Sequence, residues 1–358
     1  MSRPDNSMPR SVHTKSGVFV LGTNEHVLAG EIWDISAAPT GRYALVIQRL
    51  HPERTDTEKR PYAEEKLWLY DARRNTTKLL HRVIEDSTET FNTKIYWFPK
   101  TNKALIEWDY HTPISEGRGT FRTIYGLVDA ERRSFRLLST PFEGSWGVEE
   151  IPGNSTLLLI GYPPNKPGVR VVTFISPEGR FSSPIYFELL PLARGLTLEG
   201  ILKGSKEVVL KASYDQPGKD QDKTIKSIWY AIRFNRDTVR LLHEEPTTKE
   251  MTDIGELYEL NEPAPLPLDL CEESTKLISQ GYPSVETTAL WLKAMEPGPD
   301  KAKAQTLVAV APYPPYRGTD ESACIRYTLL TDLSAVLYLH DGDLYATALT
   351  KGIKGQVK

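Results

Sequence analysis

Asp34, Glu149 and Asp269, together with Lys94, Tyr96 and Tyr327, fall at comparable places in short, strand-like segments of this 358-residue chain. Carboxylates brought together would offer hard oxygen ligands to a divalent cation, or divide into a general acid and a general base. The alternative is a hydrated channel whose polar lining only solvates. A second set is aromatic. Tyr110, Tyr162 and Tyr214 recur every 52 residues, with Tyr282 further on, and each is expected to open a long connection between strands. A tyrosine there would either pack between neighbouring elements or present a flat ring with a polar tip to a ligand. His111 and His51 lie in the same connections and are weaker ligand candidates.

Other chemistries lack their residues. The sequence has no HExxH, no Walker A run, no GxGxxG at a strand-to-helix junction and no G-x-S-x-G. Cys271 and Cys324 stand far apart without metal-type spacing, which favours two buried thiols over a disulfide. No cofactor is expected. A formal charge of −3 argues against nucleic acid as a partner, and no apolar run is long enough for a membrane-spanning helix. The polar start "MSRPDNSMPRSVHTKSG" lacks the apolar core of a signal peptide. Both a cytoplasmic protein and an exported one whose leader has been removed fit that start.

The elements that would position these residues repeat. "LWLYDARRNTTKLL" (67–80) returns as "YGLVDAERRSFRLL" (125–138) and "WYAIRFNRDTVRLL" (229–242). Leu pairs end at Leu80, Leu138, Leu190 and Leu242, spaced 58, 52 and 52 residues. Each phrase alternates apolar and polar residues with period two around a polar turn, which predicts an antiparallel hairpin. Between these phrases comes a second predicted hairpin, in "ISAAPTGRYALVI", "IYWFPKTNKALIE", "EEIPGNSTLLLI", "EGILKGSKEVVL", "LDLCEESTKLIS" and "YTLLTDLSAVLYL". Six units of four strands, each about 50–60 residues, predict an all-β, six-bladed β-propeller of four-stranded antiparallel blades. The last unit has three clear strands, so the N-terminal "GVFVLGTNEHVLAG" is expected to complete it and close the ring. One domain spans 1–358 in this reading, with 1–17 a flexible tail and 18–30 the closing strand.

The hairpins "LWLYDARRNTTKLL" and "VDAERRSFRLL" resemble the blade hairpins of TolB-type, WD40-like propellers. Where that family has Ser-Pro-Asp-Gly between its first two strands, this chain has "APTG", "FPKTN" and "IPGNS". The resemblance implies binding and scaffolding roles in cytosol or periplasm, or an accessory domain beside a peptidase.

Aligning the six first strands puts Ser36, Tyr96, Glu149, Gly200, Asp269 and Tyr327 in one slot, with Asp34 and Lys94 two residues earlier. Trp68, Trp229 and Trp291 are expected in the core of third strands. The longer second-to-third connections would all project from one end, the expected binding face. The acidic stretch 244–262, with seven Asp or Glu against one Lys, is read as a solvated insertion or a docking edge for a basic partner. The expected function is a monomeric, non-catalytic propeller that engages a protein or small polar ligand through its long loops. The alternative is a hydrolase or lyase using the channel carboxylates.

Overall fold

The computed structural model describes residues 10–50, 64–84, 90–114, 118–140, 144–151, 154–163, 169–188, 193–205, 207–215, 225–233, 239–242, 249–254, 266–277, 285–299, 301–312, 327–340 and 342–352. These are almost entirely strand and tight turn. β1 (Arg10–Thr14) and β2 (Gly17–Leu28) come first, followed by a sheet of β3 (Ile32–Ala37), β4 (Tyr43–Leu50), β5 (Glu64–Asp71) and β6 (Thr76–Ile84) in sequential order. β7 (Thr90–Trp97), β8 (Lys103–Ile114), β9 (Arg118–Asp129) and β10 (Ser134–Leu138) form the second sheet. β11 (Gly144–Glu150), β12 (Leu157–Tyr162), β13 (Val169–Ile175) and β14 (Ile185–Glu188) form the third. The fourth holds β15 (Ala193–Leu202), β16 (Glu207–Asp215), β17 (Ile225–Arg233) and β18 (Val239–Leu242), with β19 (Met251–Asp253) added beside β15. β20 (Leu268–Leu277), β21 (Val285–Ala294) and β22 (Gln305–Pro312) form a three-stranded sheet. Last come β23 (Tyr327–Leu329), β24 (Ala335–His340) and β25 (Asp343–Gly352), joined by β2 and β1 in the order β1-β2-β25-β24-β23. Every pairing is antiparallel, as short connections demand.

The chain divides into two compact units, one of residues 1–87 and 264–358, the other of residues 88–263. In the second unit, sheets pack face to face through alternating apolar residues. Leu105, Leu127, Leu157 and Leu159 fill one interface, and Leu158, Phe174, Val208 and Leu210 fill the next. The first unit does the same with Val46, Tyr70, Leu337 and Leu344, and with Phe19, Leu290, Val308 and Tyr338.

One turn recurs between first and second strands because the same backbone problem recurs. A buried residue ends the first strand: Ala38, Phe98, Ile151 or Leu330. Its carbonyl accepts from an amide three residues on, as in Thr101 to Phe98 and Leu333 to Leu330. A left-handed residue then reverses the chain: Arg42 (φ 66°), Lys100 (φ 60°) or Leu333 (φ 54°). At Gly41 (φ 74°) a side chain would also collide with the Asp332 backbone. The polar turns of the repeated phrases are built as locally: Asp71 Oδ1 accepts from the Arg73 amide at 3.2 Å, and Asp129 Oδ1 from Arg132 at 3.0 Å.

Three expectations need correction. Residues 10–14, expected in a flexible tail, form β1, because Arg10 donates to the carbonyls of Val308 and Gly22 and ties the strand down. "LDLCEESTKLIS" is no hairpin: Leu268–Leu277 is one continuous strand paired with β21 along its whole length. The tryptophans expected in the core are half-buried. Nor do they share a slot, since Trp68 stands opposite Leu79, the first of its Leu pair, whereas Trp229 stands opposite Leu242, the second.

Candidate binding site at the long-connection ends of the sheets

In the second sheet the residues expected to line a channel meet a buried acid. Register places Lys94 opposite Glu107, and Glu107 opposite Tyr125. Lys94 Nζ donates to Glu107 Oε1 at 2.9 Å and to Asp109 Oδ2 at 3.0 Å. Tyr125 donates to Glu107 Oε2 at 2.8 Å, and Thr123 to Asp109 Oδ1 at 2.7 Å. Burial and then the Asp109 charge push the Glu107 carboxyl above the usual carboxylate range, against the pull of Lys94. Burial disfavours a charged Lys94, yet the two carboxylates outweigh it and hold the ammonium above its ordinary value. Burial, then the Glu107 charge, raises the half-buried Tyr96 phenol. A lysine held so firmly in its charged form is a poor nucleophile and a poor base. Its chemistry is to neutralise two acids.

The first and third sheets present aromatic rings instead. In β3 the register slips between Ile32 and Asp34, leaving Trp33 as an extra, bulged residue. A bulge re-aims a side chain, and Trp33 stands 46% exposed. Arg49 on β4 stacks its guanidinium 4.3 Å from the Trp33 ring centroid. Arg49 is fixed in turn by Glu65 Oε2 at 3.0 Å, a carboxylate only 2% exposed. In β11 the register slips between Ser145 and Gly147, leaving Trp146 as the extra residue. Trp146 precedes Glu149 by the same three positions that separate Trp33 from Ser36. At the end of β12, Tyr162 is 36% exposed and Arg170 of β13 stacks 4.1 Å from its centroid. Both aromatic–guanidinium pairs lie where a second strand runs out toward the third. That end leads into the long connections. Nearby on β11, partial burial raises the carboxyls of Glu149, whose side chain still reaches solvent, and of the half-buried Glu150.

The remaining expected residues fall as follows. Asp34 is half-buried on β3 opposite Ile47, and Tyr327 half-buried on β23 opposite Tyr338. Glu149 is exposed on β11 opposite Leu158. Asp269 is exposed on β20, its Oδ1 accepting from the Leu270 amide at 2.8 Å. Because β20 is unbroken, Asp269 lies on the same strand as the residues expected to form its hairpin partner. Asp34 and Asp269 belong to one compact unit, Glu149 to the other. Among the described residues no group of three or more His, Cys, Asp or Glu is placed to hold a metal ion.

Tyr110 does not open a loop: β8 continues to Ile114, and Tyr110 sits within it, half-buried, opposite Phe91 and Arg122. His111 follows on the same strand, opposite Phe121. Tyr214 lies in β16 opposite Ala193 and Lys226. Tyr282, His51, Cys324 and most of the expected long connections lie outside the described residues, as does the acidic stretch apart from residues 249–254. Cys271 is half-buried, with Lys293 Nζ donating to its Sγ at 3.5 Å. The pairs that sequence reasoning missed are Trp33 with Arg49 and Arg170 with Tyr162. No helix among the described residues is long and apolar enough to cross a membrane.

No family model matches the chain, and no curated protein matches it either. Among solved structures, the N-terminal domain of Nup159 is 10% identical at a TM-score of 0.26, covering 97% of each chain. A mutant Trypanosoma rangeli sialidase displaying trans-sialidase activity is 9% identical at a TM-score of 0.31, covering 97% of this chain and 58% of that one. The WD40 domain of SCAP from fission yeast is 8% identical at 0.25, covering 93% and 98%. Likenesses this slight carry no argument about what the chain does.

Proposed function

We propose that this chain is a non-catalytic binding or scaffold protein, a single six-bladed β-propeller whose blades are the six sheets and whose last blade is completed by the N-terminal strand. It engages a protein or a small polar ligand through the sheet ends that carry the long second-to-third connections. One observation carries the reading: exposed aromatic rings backed by guanidinium groups, Trp33 with Arg49 and Tyr162 with Arg170, recur at that end of two sheets. Rings of this kind supply contact area with little conformational freedom to lose on binding. The Lys94 cluster supports the same reading, because its carboxylates are committed to a lysine, a tyrosine and a threonine.

A second reading, a hydrolase or lyase, draws on the raised carboxyls of Glu149 and Glu150, since an upward shift is the direction a general acid requires. Two measurements decide. A thermal-shift screen of small polar ligands and candidate peptides should find a stabilising ligand whose effect disappears in a Trp33→Ala/Tyr162→Ala double variant. A panel of chromogenic glycosides and esters should show no turnover. Turnover abolished by Glu149→Gln would replace the binding reading with the enzymatic one.

A further inference from the structure

We infer that residues 249–254 form a releasable strap: β19 lies on the far edge of β15 and opens while the rest of the fourth sheet stays folded. Among the described residues, the first strands β3, β7, β11, β20 and β23 each end their sheet, and only β15 carries a further strand. β19 pairs antiparallel with it, Gly200 opposite Asp253, Ile201 opposite Thr252 and Leu202 opposite Met251. Just beyond this ladder, the Lys203 amide donates to the Glu250 carbonyl at 2.8 Å.

Two features of β15 fit this edge to a strand. In the slot that holds Ser36, Tyr96, Glu149, Asp269 and Tyr327 in the other first strands, β15 has Gly200. The Gly200 backbone is not left-handed, so its conformation does not call for glycine. Close approach does: a side chain there would run into the Thr252 carbonyl and come within 3.0 Å of Met251 Cγ. The second feature is a bulge. The register between β15 and β16 slips between Leu198 and Gly200, leaving Glu199 as an extra residue immediately before the ladder with β19. A bulge bends its strand and re-aims the side chain it carries, and Glu199 Oε1 here accepts from Thr197 Oγ1 at 2.8 Å.

The hold on the strap is slight. β19 is three residues long, with Met251 and Thr252 half-buried and Asp253 exposed. On its other side β15 pairs with β16 from Ala193 to Ile201, and Leu196 enters an apolar cluster with Val208, Leu210 and Ala212. Opening β19 breaks a short run of backbone bonds and bares little apolar surface, so it costs far less than unfolding the sheet. What it uncovers is the Gly200–Leu202 edge, a row of backbone donors and acceptors that is then open to pairing. The strap therefore governs whether the fourth sheet presents a free first-strand edge.

Amide hydrogen exchange of the full chain tests this, with the Lys203 amide reporting the strap and the amides of β16 reporting the sheet. In the parent protein, Lys203 exchange should be insensitive to low urea, the mark of a local opening, while β16 exchange rises with urea. Gly200→Ala should speed Lys203 exchange about tenfold or more and leave β16 exchange within about twofold. A Lys203 amide that shares the urea dependence of β16 makes strap and sheet one unit and overturns the inference. Unchanged protection of Lys203 in Gly200→Ala overturns it as well. If that variant does not fold, the urea dependence of the parent decides by itself.

Discussion

At single residues, charge placement decides what the sheets tolerate. Glu107 is fully buried and survives as part of a cluster because Lys94 spans it and Asp109. Replacing Lys94 with Met should destabilise the protein by about 2–3 kcal/mol, less than for a fully enclosed pair because solvent screens the 42% exposed lysine. Adding Glu107→Gln should recover most of that loss, because the uncompensated buried charge is then gone. Urea denaturation of the three proteins checks both. Asp71 sets a pH dependence of opposite origin. Burial works against its charge, but the two-pronged Arg42 guanidinium at 3.1 and 3.0 Å and the Arg73 amide prevail and hold its carboxyl below the usual range. A depressed folded-state pKa contributes stability that is present above the unfolded value and lost as pH falls through the folded one. Asp71→Asn should therefore lower stability at pH 7 and flatten its decline below about pH 4. Parallel acid limbs for variant and parent would refute this role.

Among elements, the recurring turn between first and second strands gives a matched comparison. Gly41 (φ 74°) and Gly204 (φ 73°) share a left-handed backbone, but a side chain meets the Asp332 backbone at Gly41 and nothing within 4 Å at Gly204. Gly204→Ala should cost about 1–2 kcal/mol, the left-handed penalty alone. Gly41→Ala should cost at least ~1 kcal/mol more, for the displaced backbone. Equal losses in denaturation would contradict the packing at Gly41. The turns between third and fourth strands were legible in the sequence because their cause is local: polar turn residues such as Asp71 and Asp129 close on their own backbone, and alternation marks the flanking strands. β20 was not legible for the complementary reason. "CEES" has the composition of a turn, and only β21, fifteen or so residues on, holds it extended, placing Ser274 opposite Thr288 and Lys276 opposite Glu286. The Trp33–Arg49 pair was hidden by a single inserted residue. A bulge shifts the alternation by one, and alternation was the signal being read.

For the whole molecule, the N-terminal segment matters most. β2 pairs with β25 from Val18 to Leu28, and Phe19 and Leu21 enter the same apolar cluster as Leu290 and Tyr338. Removing residues 1–28 would bare the β25 edge and open that cluster. The truncated chain should aggregate or melt about 10 °C or more below the parent. A monomer with an unchanged melting temperature would contradict completion of the last blade by this strand. The central claim is that ligands meet the sheet ends where second strands run out toward third strands, as at Arg49 and Tyr162, and not the ends that carry the turns between first and second strands. Photo-crosslinking tests it most directly, with p-benzoylphenylalanine placed in turn at Trp33, Tyr162, Thr101 and Asp332 in an extract of the protein's own organism. Thr101 and Asp332 lie in the tight turns between first and second strands. The account predicts a discrete adduct from Trp33 and Tyr162 and none from Thr101 or Asp332; adducts confined to Thr101 and Asp332 would contradict it.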